Sequence, residues 1–402
     1  MKYVVILGDG MADYPQKGLN GKTPLELAKK DNIDKLCALS EIGLCRTVPI
    51  GMKPGSDVAN LSVLGYDVKK CYTGRSPLEA ASIGISLKDT DVTLRANLVT
   101  VSDEEEYSDK TMIDYSGGEI STEEAKELIE YLAKQINNEK VKLYAGISYR
   151  HCLVVDNGIL AGDFTPPHDI TGRKIKEYLP KSEVGLSHLE IMKKSYDLLK
   201  SHPINLERIK KGKNPANSLW FWGEGTKPVL ENYEEKFGVK GAMISAVDLL
   251  KGIGKLSGME VIEVEGATGN YDTNFKGKAD ACLKALEGGV DFCYIHMEAP
   301  DECGHHGDTD KKIFSIEQID KEVVGYIKRE LDKKGEEYSI LILPDHPTPL
   351  NIMTHVSDPV PYILYRSNDI KNGAPSYTEE NAKNSGVFIE SGEELMKKFL
   401  GK

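Results

Sequence analysis

Short apolar runs alternate with longer amphipathic stretches along most of the chain. Tyr3 to Leu7 reads Tyr-Val-Val-Ile-Leu, a continuous β-branched run ending at Gly8-Asp9-Gly10, and a helical pattern spans Thr23 to Leu39 with Pro24 near its start. Further strands are predicted at Thr93 to Val101, Leu143 to Ile147, Leu153 to Val155, Ala242 to Ser245, Glu260 to Val264, Phe292 to His296 and Ser339 to Leu343. Helices are predicted from Ser121 to Gln135, opened by a capping-box-like Ser-Thr-Glu-Glu, and from Ile313 to Lys334. Alternation of this kind predicts an α/β fold: a mostly parallel sheet covered by helices on both faces. In such sheets ligands bind outside the carboxyl ends of the strands, so the residues just past the end of each run matter most.

Composition narrows the function classes. The 402 residues, 40% hydrophobic and 28% charged, suffice for two domains with cores. No apolar run approaches the roughly 20 residues of a membrane span, and Met1-Lys2 leads straight into a strand, so a cytoplasmic protein is expected. The net charge of -12, without a dense basic block, argues against nucleic-acid and membrane partners. The seven cysteines are scattered, with no C-x-x-C pair, and are expected to be reduced and mostly packed. Two near-motifs fail: Gly21-Lys22-Thr23 has Gln16 where a P-loop needs glycine, and Gly252-Ile-Gly254 has Ser257 where a dinucleotide fingerprint needs one.

The chemistry gathers at strand ends. The run Ser339 to Leu343 stops at Pro344-Asp345-His346, Phe292 to His296 leads to Asp301-x-x-x-His305, and Tyr3 to Leu7 delivers Asp9. His355 comes nine residues after His346, close enough for the chain to double back. Three aspartates and three histidines exceed what one catalytic ion needs, and they divide into two mixed oxygen and nitrogen sites suited to Mn or Zn. Paired ions of this type clamp a displacement at phosphorus. Ser56, in Lys53-Pro54-Gly55-Ser56-Asp57, stands on a turn leading into a helical stretch, and is either a helix cap or a nucleophile whose hydroxyl an ion activates.

Together with Val4 to Asp13, Gly74-Arg75-Ser76-Pro77-Leu78-Glu79, Tyr149-Arg150-His151, Pro167-His168-Asp169-Ile170 and Trp220 to Gly225, these residues resemble the cofactor-independent phosphoglycerate mutases, archaeal-type branch, of the alkaline phosphatase superfamily. The resemblance runs nearly end to end. It implies an alkaline-phosphatase-like α/β fold and an isomerase that moves a phosphoryl group between the 3- and 2-hydroxyls of glycerate through a phosphoserine. It also implies two divalent ions, with Mn first and Zn, Mg or Co as alternatives, and no 2,3-bisphosphoglycerate. Ser56 is then the nucleophile; Asp301, His305 and His355 look like ligands of one ion, and Asp9, Ser56, Asp345 and His346 of the other. Lys240 resembles a family lysine near the phosphoryl group.

All metal candidates lie before residue 60 or after 300, so residues 91–186 are expected to form an inserted, smaller α/β capping domain that binds substrate, with 1–90 and 187–402 as the metal-binding domain. Within the insertion, Arg150, His151, Asp169 and Arg173 are candidates for gripping a small phosphorylated carboxylate. Arg75 and Asn60 sit beside the Ser56 segment, while His188 and His202 are expected at the surface or at helix ends. The alternative activities are a kinase for a small alcohol such as homoserine and a metal-dependent phosphatase. The oligomeric state is left open.

Overall fold

A computed structural model describes residues 1–402. The first strand, Lys2–Gly8, runs parallel between Phe292–Met297 and Tyr338–Leu343, and Val4, Val5, Ile6 and Leu7 are fully buried. Burial on both faces is why these runs are continuously apolar rather than alternating. They lie in an eight-stranded sheet ordered Phe388–Ile389, Glu41–Cys45, Val360–Arg366, Tyr338–Leu343, Lys2–Gly8, Phe292–Met297, Gly241–Ile244, Glu260–Ile262. The sheet is mostly parallel; Val360–Arg366 runs antiparallel to both its neighbours. On one face Val4, Ile6, Ile295, Ile340 and Ile342 pack against Ile33, Leu36, Phe275, Ile316 and Val323 from the covering helices. At about 25 cal/mol per Å² of apolar surface, each such side chain contributes about 1.5–3 kcal/mol.

The register places the site. Leu7 pairs with His296 and with Leu343, so the three central strands end level, and the Asp9 amide donates to Met297 O at 2.9 Å. Asp9, Asp301 and Asp345 therefore emerge from one edge of the sheet.

The chain divides into two units, Met1–Tyr72 with Val229–Lys402, and Thr73–Pro228. The inserted unit is longer than residues 91–186. Its central strand Val92–Val101 pairs antiparallel with Ser218–Thr226 on one side and Arg150–Val155 on the other, so the late strand belongs to the insertion. Met112–Asp114 and Val141–Ile147 complete this five-stranded sheet, and helices Thr122–Ile136 and Glu183–Leu199 share its core.

Two helices differ from their sequence pattern. Thr23 to Leu39 is two helices, Pro24–Leu27 and Asp31–Cys37, separated where Ala28 turns extended (ψ 135°). The Asp320 carboxylate accepts the Ile33 amide at 2.6 Å and the Asn32 side chain at 2.8 Å, and so anchors the second helix by its positive end. Ile313 to Lys334 lies in a longer helical stretch that passes through a π-helical segment at Ile319–Val324. His188, expected near the surface, is 5% exposed, between Phe164 and Phe221; helix Glu183–Leu199 packs on the sheet of the inserted unit, and His188 is on its inner face. All seven cysteines are free and buried, and no helix is long and apolar enough to cross a membrane.

Candidate functional site

Ser56 is the first residue of helix Ser56–Val63, and Gly55, not Ser56, holds the cap position. The hydroxyl is thereby free of capping. Its Oγ lies 3.4 Å from Asp9 Oδ2 and 3.3 Å from His346 Nε2. Asn60, one turn along, donates from Nδ2 to Ser56 O at 2.8 Å and to Asp345 Oδ2 at 2.9 Å, and its Oδ1 accepts the Tyr294 hydroxyl at 2.6 Å. One amide thus ties the serine helix to two strands of the sheet.

Asp345 Oδ1 accepts the amides of Gly10 (3.2 Å) and His346 (2.8 Å). Asp301 and His305 lie four residues apart on helix Ala299–His305, hence on one face, with His305 Nε2 3.2 Å from Asp301 Oδ2. The loop after His346 folds back, its Val356 amide donating to Pro347 O at 3.1 Å, and brings His355 Nε2 to 2.9 Å from His305 Nε2 and 3.5 Å from Asp301 Oδ1. Thr348 Oγ1 donates to Asp301 Oδ1. Gly10 is required here: at φ +61° it passes so close that a Cβ would lie 2.6 Å from Asp301 Cα.

The electrostatics call for a cation. Asp9, Asp301 and Asp345 are all buried. Burial, and then the Asp345 and Asp301 charges, push Asp9 well above the usual carboxylate range. Its Oδ1 is buried without a hydrogen-bond partner. Burial opposes ionisation of Asp301 too, but hydrogen bonds from His305 and His355 hold it well below that range. His305 is carried up to about 9 against its burial by Asp301. Burial lowers His346, leaving a neutral imidazole able to ligate. Ligand atoms of Asp9, Asp345 and His346 lie within 4.8 Å of one another, as do those of Asp301, His346 and His355. Mixed carboxylate and imidazole donors with an orphaned oxygen fit a divalent metal ion.

The inserted unit carries a second concentration of charge. Glu79 is gripped by Arg75 (Nε to Oε1, 2.9 Å) and by the buried Arg95 (Nε to Oε2, 2.8 Å). Burial works against its charge, but Arg95 and Arg75 hold it below the usual range, while burial lowers Arg95 to about 10. Arg95 stacks 4.0 Å from the Trp222 ring, and Trp222 Nε1 donates to Asn97 Oδ1 at 3.0 Å. Arg150 shares this face of the sheet, its position paired with Asn97. Three guanidiniums, those of Arg95, Arg75 and Arg150, thus act on the one Glu79 carboxylate.

Of the remaining sequence candidates, His151 points to the opposite face from its neighbour Arg150, as strand geometry requires, and is buried with Nδ1 accepting the Gly146 amide at 3.0 Å. Arg173 is exposed and donates to the Tyr178 hydroxyl at 3.2 Å, and Asp169 is exposed beside His168. His168, whose ring centroid is 5.1 Å from that of Trp222, is the member of that segment next to the arginine cluster. Lys240 precedes the strand Gly241–Ile244, and this strand runs parallel to Phe292–Met297. Lys240 therefore stands at the amino end of the sheet, away from the metal-type residues. Sequence reading missed Arg95 and His296, although each is a charged or imidazole side chain inside an apolar strand, a signal in itself.

The chain is similar to known proteins along its whole length. The family described as 2,3-bisphosphoglycerate-independent phosphoglycerate mutase matches residues 38–205. A probable enzyme of that name from Geobacter sulfurreducens is 48% identical over 100% of both chains, and the one from Methanosarcina barkeri is 48% identical over 98% of both. A solved structure of a Pyrococcus horikoshii protein is 30% identical with a TM-score of 0.82, over 100% of this chain and 97% of that one.

Proposed function

Because the chain belongs to the 2,3-bisphosphoglycerate-independent phosphoglycerate mutase family, we propose that it interconverts 3-phosphoglycerate and 2-phosphoglycerate in the cytoplasm, with Ser56 as the phosphoryl carrier. The observation that carries this reading is the Ser56 hydroxyl, freed from capping and set between Asp9 Oδ2 and His346 Nε2. Asp9, Asp345 and His346 with Ser56 would hold one divalent ion, and Asp301, His305 and His355 the other, with His346 within reach of both groups. Bound there, such ions would lower the hydroxyl pKa and offset phosphoryl charge.

Ser56 Oγ gives up its proton and attacks phosphorus, its bond to phosphorus forming as the bond to the glycerate 3-oxygen breaks, and the proton released is balanced by the one that the leaving 3-oxygen gains. The glycerate 2-oxygen then loses its proton and attacks the phosphorus of phosphoserine, the Ser56 Oγ–P bond breaks, and Oγ takes a proton to recover its hydroxyl. The start of helix Ser56–Val63 favours the added negative charge. In the inserted unit Arg75, Arg95 and Arg150 have the charge and the fork geometry to hold a carboxylate or phosphate. Glu79 and Trp222 keep Arg95 in place.

The test is the Mn-loaded protein with 3-phosphoglycerate, following 2-phosphoglycerate through enolase. Isomerisation without 2,3-bisphosphoglycerate is expected, abolished by a chelator and reduced at least about 10⁴-fold in Ser56→Ala, as when a nucleophile is removed. Release of inorganic phosphate without isomer, or ATP-dependent phosphorylation of homoserine, would replace this reading with a phosphatase or a kinase.

A further inference from the structure

His296 is an imidazole inside the apolar strand Phe292–Met297 and is fully buried. Its Nε2 lies 2.9 Å from Asp9 Oδ2, and its Nδ1 lies 3.3 Å from Ser245 Oγ. Ser245 Oγ already accepts the Val247 amide at 3.0 Å, so its own hydrogen is free to be donated to His296 Nδ1. Nδ1 is then the acceptor, and the ring proton sits on Nε2, where it is donated to Asp9 Oδ2. The strand end is held as well: the buried Lys278 Nζ donates to His296 O at 3.0 Å. The oxygen of Asp9 that His296 does not engage, Oδ1, is the buried one without a hydrogen-bond partner, 3.7 Å from His346 Nε2.

We infer that His296, its tautomer set by Ser245, is a positioning residue that fixes the Asp9 carboxylate with Oδ1 presented to a divalent ion. The inference rests on reading Asp9, Asp345 and His346 as ligands. A carboxylate free to rotate about its last bond would offer either oxygen and lose entropy on binding; one held at Oδ2 by a fixed donor keeps a single orientation. Partners of this kind, which hold a ligand and do not touch the ion, are worth about 10–100-fold in metal affinity.

The experiment is calorimetric titration of the ion-free, full-length protein with Mn, in parallel with its melting temperature without ions. In His296→Leu, one ion should bind about 10–100-fold more weakly while the other, at Asp301 and His355, stays within about twofold. His296→Gln, whose amide N–H can occupy the place of Nε2, should recover most of that loss. Ser245→Ala leaves the ring in place but frees its tautomer, and should weaken the same ion several-fold; it carries the test should His296→Leu fail to fold. Lower ion-free melting in His296→Leu with unchanged affinity for both ions would reduce His296 to a packing role and overturn the inference. Asp9→Asn separates the two levels. If it binds both ions as the wild type does, the ligand reading fails; if it loses one ion and His296→Leu and Ser245→Ala lose nothing, only the positioning role fails.

Discussion

A single carbon atom, a Cβ, separates a working loop from a blocked one at Gly10. Its φ of +61° suits glycine, and a Cβ there would meet Asp301 Cα and Asp301 Oδ1 at 2.6 Å. Gly10→Ala should therefore cost at least about 1–2 kcal/mol from the left-handed backbone alone, and should weaken ion binding by pushing Asp301 away. Urea unfolding with Mn titration checks both, and Gly18→Ala, where a Cβ would meet nothing within 4 Å, is the neutral control. At this scale the sequence was readable where polar residues follow within a few positions of the end of an apolar run, as at Asp9, Asp301 and Asp345-His346. It was opaque where the side chain lies within the run. Arg95 and His296 count as strand interior to a hydrophobicity pattern, and only the register reveals that one stacks on Trp222 and the other meets Asp9. Lys240, suggested by the resemblance alone, precedes the amino end of strand Gly241–Ile244, and only the direction of that strand shows that it lies away from Asp9.

Short elements are pinned by carboxylates. Helix Glu379–Asn384 begins with Glu379, which accepts the Asp13 amide at 3.1 Å and the Thr23 hydroxyl at 2.8 Å and so links three segments distant in sequence. Burial raises its pKa from 4.5 to about 7. A carboxyl raised on folding stays protonated where the unfolded chain has already ionised. Its effect on stability is absent below about 4.5, grows as pH climbs towards 7, and is constant above. The gap between the two values caps the loss at about 3 kcal/mol, and water at its partly open side trims this further. Glu379→Gln removes the titration, and its amide can still accept from Asp13 N and turn its N–H to Thr23 Oγ1. The stability of Glu379→Gln relative to wild type, measured by urea unfolding of ion-free protein, should therefore rise between pH 5 and pH 8. A difference that stays flat or falls would contradict the assignment. The split of the Thr23 to Leu39 pattern belongs to this scale too. Periodicity could not show it, because the Asp320 carboxylate that starts the second helix comes from almost 300 residues away.

Across the whole molecule, the parallel core could be read from its continuous apolar runs, and with it the edge on which the ligands emerge. The extent of the insertion could not. Ser218–Thr226 joins the sheet of Val92–Val101 over a long intervening stretch, and no local pattern announces such a pairing. The same long-range order assembles the centre: Ser56 meets His346 across 290 residues, and Asn60 meets Asp345 across 285. Phosphoryl transfer through this centre stands or falls on what Ser56 Oγ does during turnover. Acid quenching of the Mn-loaded protein turning over 3-phosphoglycerate labelled in its phosphoryl group, with peptide mass analysis of the quenched protein, should find the label on Ser56 in the wild type and none in Ser56→Ala, which should also form no isomer. Isomer formed at the wild-type rate by Ser56→Ala, with no label on the protein, would contradict it.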